Sequence, residues 1–316
     1  MSPVMTLLMW VAIVLAGAVA VAWLFREILR RTMPEFIAKP MRQAPLTAAF
    51  GILVIILYVV FSLFADVLAP YEQDAIFAQV NLPPGADPAH PLGTDQIGRD
   101  ILTRLIYGAQ NTVGIAFVTT VLAFLLGATL GFLAATVGGW LDQLLSRIVD
   151  VMMSIPQLIF ALLIITVVGQ STLNLILVIA FLDSTRVYRL ARAVGLNIVV
   201  MDYIEAAKLR GEGLPYLIFR EVLPNATAPL LAEFGLRFCF VFLLIAALSF
   251  LGLGIQPPLA DWGSMVAELA RFIAYAQFDL LSASLPLMAA GAIALLTVGV
   301  NFVVDWMLHR SSGLKE

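Results

Sequence analysis

Apolar residues along the chain are gathered into separated runs, with polar residues confined to the segments between them. A membrane-spanning helix needs about 20 predominantly apolar residues, and seven runs approach this length. The pattern predicts an all-α polytopic membrane protein with seven spans. The runs lie at 4–25, 46–64, 113–137, 149–168, 173–190, 230–253 and 280–304.

Charged residues between the runs indicate the orientation. Basic residues follow the first run and fill the segment between the fifth and sixth, whereas the segments after the second and sixth runs are mainly acidic. Cytoplasmic loops carry an excess of Lys and Arg, so we expect the N-terminus outside and the C-terminus in the cytoplasm. The first run has its basic residues behind it, which favours an anchor over a cleaved signal peptide.

Two external segments are expected to form short helices. Proline and glycine in residues 81–93 indicate an irregular loop, after which Thr94 or Asp95 could cap a helix lying flat at the membrane surface. A second short helix should follow Pro257 and Pro258 and place Trp262 at the depth of the lipid headgroups.

Composition excludes a soluble protein and gives no support for an enzyme. Apolar residues make up 61% of the chain and charged residues only 12%, against about a quarter charged in soluble domains. None of the three lysines follows a glycine, so the chain has no phosphate-binding P-loop. One cysteine cannot build a disulfide framework or a cysteine metal site, and the two histidines lie far apart in sequence, which disfavours a histidine-based metal or acid/base centre. We therefore predict no catalytic residue, no cofactor and no metal.

The informative polar segment is 202–230, between the fifth and sixth runs. It predicts a short helix, a glycine turn and a second helical segment interrupted at Leu223-Pro224. Small side chains at Ala206, Ala207 and Gly211 would let another protein approach the backbone closely, and Glu205 would supply one charge. The segment is either a docking surface or a solvated connection between two spans.

The same segment resembles the cytoplasmic loop of bacterial ABC importer permeases. Their pattern of Glu-Ala-Ala, three residues, Gly, about ten residues and aliphatic-Leu-Pro is matched here by 205–207, Gly211 and 222–224. Residues 90–109, 147–162 and 247–265 further resemble the second permease subunit of dipeptide and oligopeptide importers. The resemblance extends from about residue 46 to the C-terminus.

This resemblance implies an ABC importer type I transmembrane domain in the bacterial inner membrane. The implied function is that of a permease subunit without its own ATPase site, which forms half of a pathway for peptides or peptide-like solutes. Its implied partners are a homologous second permease, two cytosolic ABC ATPase subunits, an external solute-binding protein and membrane lipid, with no nucleic acid. The residues implied to dock the ATPase are Glu205, Ala206, Ala207, Gly211, Leu223 and Pro224.

The expected domain organisation follows the same resemblance. An extra N-terminal helix and basic linker occupy 1–45, and the first helix of the family with its external loop occupies 46–106. The transmembrane domain occupies 107–306, including a coupling loop at 191–229, and a cytoplasmic tail occupies 307–316.

Three residues are candidates for the translocation pathway: Asp183, Arg186 and Pro156. Ionisable residues at membrane depth mark a buried pair or an aqueous path, so Asp183 and Arg186 could line a path for a charged solute. Alternatively, Arg186 belongs with the arginines that mark the inner end of its helix. Pro156 should kink the fourth span, with or without a role in the pathway.

Two other functions remain open at this point. A self-sufficient secondary transporter would show internal repeats and several buried carboxylates for ion coupling, of which Asp183 is the one convincing candidate. A membrane component that does not transport would use segment 202–230 only as a connection.

Overall fold

The computed structural model describes residues 3–275 and 280–311, which are mainly helical. The chain divides into two compact units: residues 1–60 with 294–316, here called the terminal unit, and residues 61–293, the central unit. Residues 312–316 of the predicted tail lie outside the described part of the chain.

The helices follow one another with short connections, except for the irregular segment 69–100. The first half comprises α1 (Pro3–Thr32), α2 (Glu35–Gln43), α3 (Leu46–Leu63), α4 (Ala65–Leu68), α5 (Ile101–Gly108), a π-helical segment (Ala109–Val113), α6 (Gly114–Val137), α7 (Gly139–Met153) and α8 (Gln157–Val168). The second half comprises α9 (Thr172–Ile198), α10 (Asp202–Leu209), α11 (Leu214–Tyr216), a π-helical segment (Leu217–Val222), α12 (Leu223–Phe250), α13 (Trp262–Leu269), a 3-10 segment (Ala270–Tyr275), α14 (Leu280–Ala283) and α15 (Leu285–Ser311).

Small residues set the helix contacts in both units. In the terminal unit, a Cβ added to Gly51 of α3 would clash with the carbonyl oxygen of Gly299 on α15. In the central unit, a Cβ on Gly131 of α6 would lie 2.7 Å from the Tyr188 carbonyl oxygen of α9. Membrane helices approach closely where such small residues meet, because hydrocarbon gives apolar side chains no drive to associate. Among the described helices, α6 and α9 make the most extensive contact in the central unit.

The described helices agree with the predicted membrane character and correct individual spans. Four are long and apolar enough to cross a membrane: Leu46–Leu63, Ile101–Val137, Leu214–Phe250 and Leu285–Arg310. The bent pair α7 and α8 would make a fifth if it is one span. The fifth predicted run lies in α9, which continues unbroken from Thr172 to Ile198 through its charged residues and is not among these candidate spans.

Pro156 breaks the fourth predicted span rather than kinking it. It lies at the N-cap of α8, and α7 and α8 meet at an angle of 91°. Proline lacks the backbone donor and its ring clashes with the preceding turn, so the helix stops and restarts. The apolar α8 begins only at Gln157.

The first of the two short helices predicted outside the membrane differs from its predicted form. α5 begins at Ile101, with the Asp100 side chain accepting a hydrogen bond from the Thr103 N–H, so the cap predicted at Thr94 or Asp95 was wrong. α5 continues through the π-helical segment into α6 as one run, Ile101–Val137, in place of a separate flat helix. Asp95 is instead buried and pairs with Arg99 at 2.7 Å and Arg104 at 2.8 Å.

Trp262, predicted to lie at headgroup depth, is buried against protein within the central unit at 2% exposure. Its indole N–H donates to the Leu105 carbonyl oxygen at 3.0 Å. Next to it, Asp261 caps α13 and accepts a hydrogen bond from the Thr112 hydroxyl at 3.0 Å. Burial raises the pKa of the Asp261 carboxyl above its ordinary value. The contact between Trp262 and Leu105 joins two of the sequence blocks that carry the family resemblance, 90–109 and 247–265.

Candidate functional site

The loop that joins α9 to α12 presents α10 on its outer side. Ile204 and Ala207 are fully buried, whereas Glu205 and Ala206 are exposed. Ile204 belongs to an apolar cluster at the ends of α6, α9 and α12, which fixes the position of α10. The other buried members of this cluster are Phe132, Ala191, Ile198, Ile218, Val222, Ala226 and Leu230.

α10 ends in a Schellman motif that requires a left-handed residue. Gly211 has φ +80°, its N–H donates to the Lys208 carbonyl at 2.9 Å, and the Glu212 N–H donates to the Ala207 carbonyl at 3.2 Å. Glycine adopts this conformation without the Cβ penalty of other residues. No heavy atom lies within 4 Å of a Cβ built on Gly211, so the site is also open to an approaching surface.

The structure separates the six predicted docking residues by exposure. Glu205, Ala206 and Gly211 lie exposed along α10 and its C-terminal turn, and Pro224 is exposed in the first turn of α12. Ala207 was expected to face an approaching protein, but it is buried in the interior of this chain. Helical spacing turns it to the same side as Ile204. Leu223 packs against the apolar cluster beneath the loop.

The sequence analysis missed the apolar part of this surface. Leu209, the last residue of α10, is 83% exposed, and Met201, Tyr203 and Leu214 are also exposed. Large apolar residues exposed close together in sequence, among charged ones, are compatible with a protein interaction site. The available signal was an apolar residue, Leu209, between Lys208 and Arg210 in an otherwise polar stretch.

A second cluster surrounds the buried charge on α9. Asp183 is fully buried; its Oδ1 accepts a hydrogen bond from Gln157 Nε2 at 3.5 Å and lies 3.8 Å from Nη1 of Arg237 on α12. Arg237 in turn pairs with Glu233 at 2.7 Å. Within the described part of the chain, Asp183 Oδ2 has no hydrogen-bond partner. Arg237 was not singled out in the sequence. One arginine in a basic segment cannot be distinguished from the arginines that only mark the cytoplasmic end of a helix.

The three predicted pathway residues lie near one another. Arg186 and Gln157 line one small pocket together with residues of the α7–α8 break, and Gln157 directly follows Pro156. Arg186 therefore differs from its neighbours Arg189 and Arg192. Those two pair with α7, Arg189 with Asp150 at 2.6 Å and Arg192 with Asp142.

The structure has apolar helices of membrane-spanning length, with charged side chains buried between them. A short exposed helix, anchored by its buried side, joins two of the helices. This arrangement is that of the membrane subunit of a transporter. The chain belongs to the family of binding-protein-dependent transport system inner membrane components, whose sequence pattern matches residues 127–312. It is thus a multi-pass inner-membrane permease subunit of an ABC importer. The matched range includes both α10 and the Asp183 cluster.

Characterised relatives extend the similarity beyond that range. The di/tripeptide transport system permease protein DppC of Pseudomonas aeruginosa is 35% identical over 271 residues, which cover 83% of this chain and 88% of that protein. The dipeptide transport system permease protein DppC of Alkalihalophilus pseudofirmus is 33% identical, covering 82% and 83%. The glutathione transport system permease protein GsiD of Pectobacterium atrosepticum is 32% identical, covering 74% and 78%.

Gly211 allows a test of charge at the surface of α10 with shape held constant. Asn and Asp are nearly the same size and both tolerate the left-handed conformation. We expect Gly211→Asn to retain most of the uptake. Gly211→Asp should lose uptake several-fold if this surface docks a partner, because it places a carboxylate at the helix C-terminus and on the exposed surface. Uptake per ATP hydrolysed in the assembled transporter measures the difference, and equal loss in both variants would exclude an effect of charge.

Proposed function

We propose that this permease forms half of an import pathway for peptides or peptide-like solutes and takes its driving energy from separate ATPase subunits through α10. The observation that carries the proposal is the exposed surface of Glu205, Ala206, Gly211 and Leu209 on a helix anchored by its buried side. The similarity to permeases of dipeptide, di/tripeptide and glutathione transport systems supports the class of solute.

The proposed assembly contains a homologous second permease, two cytosolic ATPase subunits and an external solute-binding protein. In this assembly the N-terminus is outside and the C-terminus cytoplasmic, which puts α10 on the cytoplasmic side with the ATPases. The proposed segments are 1–45, 46–106, 107–306 with the coupling loop 191–229, and 307–316. ATP-driven approach of the two ATPases would move the docked helices and open the pathway alternately to each side of the membrane. Such a switch requires that the ATPases bind the two conformations of the permease with different affinity.

Purification of the complex tests this assembly. The full-length chain, extracted in mild detergent with an affinity tag on the C-terminus, should retain a second permease and two ATPase chains. Addition of the solute-binding protein loaded with a dipeptide should stimulate ATP hydrolysis. Purification of the chain without any ATPase, from cells that express the whole operon and import the dipeptide, would contradict the proposal.

The Asp183 cluster is proposed to line the pathway. Asp183, Arg186 and Pro156 lie around the break between α7 and α8, and a broken membrane helix is tolerated where it lines a cavity or is covered by protein. The incompletely paired Asp183 carboxylate and the adjacent Arg186 would suit the opposite charges of a peptide's termini. Arg237 joins this proposal through its 3.8 Å contact with Asp183.

Neutralising the pathway charges should change transport more than neutralising an equivalent pair outside it. We expect Asp183→Asn with Arg186→Gln to lower the uptake of a zwitterionic dipeptide about tenfold, a change of about 1.4 kcal/mol in effective binding. The control is Asp150→Asn with Arg189→Gln, which removes an exposed ion pair between α7 and α9. Uptake by both variants at normal rate and unchanged specificity would remove the proposed role.

A further inference from the structure

The terminal unit carries an apolar groove lined by residues outside α10 and the Asp183 cluster. Ala16, Val19, Ala20 and Trp23 of α1 line it with Leu46 at the start of α3, and its volume is about 460 Å³. Small-molecule sites occupy about 300–1,000 Å³. Val19 and Trp23 are 55% and 53% exposed, so the groove is open along α1.

The lining residues form one stripe along α1. Positions 16, 19, 20 and 23 follow the spacing i, i+3, i+4, i+7 of a single helix face. The same stripe continues into Arg26, Glu27 and Arg30, beyond the apolar run. The groove therefore leads from hydrocarbon-compatible residues to charged ones within two turns.

Basic residues follow the groove on α1 and precede it at the start of α3. Arg26 Nη1 donates to the carbonyl oxygen of Ala44 at 3.1 Å, which holds α1 against the short segment between Arg42 and Leu46. Arg30 remains 46% exposed although it pairs with Glu27 at 3.2 Å, and Arg42 is exposed. Residues 26–43 contain five basic and two acidic side chains: Arg26, Arg30, Arg31, Lys39 and Arg42 against Glu27 and Glu35.

We propose that this groove binds one anionic phospholipid, with an acyl chain along the face from Ala16 to Trp23 and the phosphate at Arg30 and Arg42. The arrangement complements an amphiphile with a long apolar tail and a negative head. Basic clusters next to a membrane span attract anionic headgroups. A zwitterionic lipid would gain the apolar contacts but not the charge complementarity. The extra N-terminal helix thereby acquires a binding role of its own, independent of the pathway.

Quenching of Trp23 fluorescence tests the site directly. The full-length chain, purified with its partner subunits, is placed in phosphatidylethanolamine nanodiscs that contain either phosphatidylglycerol or phosphatidylcholine with brominated acyl chains. The signal of Trp23 is the difference between the wild-type protein and Trp23→Phe. We expect half-maximal quenching at about tenfold lower mole fraction of the brominated phosphatidylglycerol, because each basic residue near an anionic headgroup contributes favourably.

Charge variants decide whether the preference comes from this site. Arg30→Gln with Arg42→Gln should remove the tenfold preference, and both residues are exposed, so the fold should persist with an unchanged melting temperature. Arg147→Gln with Arg271→Gln removes two charges from the central unit and should leave the preference intact. Equal quenching by the two lipids would overturn the proposal. So would a preference that survives Arg30→Gln with Arg42→Gln, or a Trp23 signal that neither lipid quenches because a protein chain covers the groove.

Discussion

Ala206→Asp should leave the permease inserted in the membrane while reducing uptake by more than tenfold. Ala206 is exposed on α10, between the exposed Glu205 and the buried Ala207, so the new carboxylate would stand on the outer surface. Docking would bury this charge without a partner beside apolar Leu209 and Tyr203. Burial of an unpaired charge costs several kcal/mol, and each 1.4 kcal/mol is a factor of ten in affinity.

The measurement is dipeptide uptake together with retention of the ATPase subunits during purification, both normalised to the amount of permease. Gln143→Glu on α7 is the matched control, since it adds one negative charge at an exposed position outside α10. It should leave both quantities unchanged. Ala206→Asp with full uptake and full ATPase retention would show that α10 is only a connection between two spans.

Gly127→Leu should prevent the central unit from assembling its main helix pair. A Cβ on Gly127 of α6 would clash with the carbonyl oxygen of Ser184 and lie 2.7 Å from the Val187 Cβ on α9. Overpacking typically costs 1–3 kcal/mol, and backbone cannot move aside as a flexible side chain can. We expect a loss at or above the upper end of this range, seen as a lower melting temperature in detergent and poor recovery of folded protein.

Gly291→Leu provides the control for this substitution. Gly291 also lies within a membrane helix, α15, but no heavy atom lies within 4 Å of a Cβ built there. The same added side chain should therefore be tolerated with little change in melting temperature. Equal behaviour of Gly127→Leu and Gly291→Leu would show that close contact of α6 and α9 does not stabilise the protein.

The sequence predicted the class and helical architecture because membrane burial imposes a simple pattern. Each apolar run had to form a helix with its backbone hydrogen bonds satisfied internally, and most runs appear as helices in the structure. The position of α10 and its termination before Gly211 were also predictable, because glycine readily adopts the left-handed conformation that ends a helix.

The predictions that failed required knowledge of tertiary contacts. The side chain of Asp95 could cap a helix locally, but it is used instead by two arginines, Arg99 and Arg104. The packing of Trp262 against protein also depends on a tertiary contact, because Gly108 leaves room for its ring: a Cβ on Gly108 would lie 2.5 Å from Trp262 Cδ1. Ala207 and Ala206 are identical in sequence terms, and only the packing of Ile204 determines which of them is buried.

The role of Arg237 could not be predicted for a related reason. It lies 54 residues after Asp183 in the chain, and the contact between them arises from the packing of α9 against α12. The sequence paired Asp183 with Arg186, its neighbour on the same helix. The structure adds a charge from a second helix and brings Gln157 from the start of α8.

The central claim is that this permease moves its solute only with energy received from separate ATPase subunits. Uptake into proteoliposomes tests it, with the purified full complex in one preparation and the isolated chain in another, each given solute-binding protein, dipeptide and ATP. We predict accumulation against a gradient by the complex with ATP, and none by the isolated chain or by the complex without ATP. Accumulation by the isolated chain alone would contradict the claim.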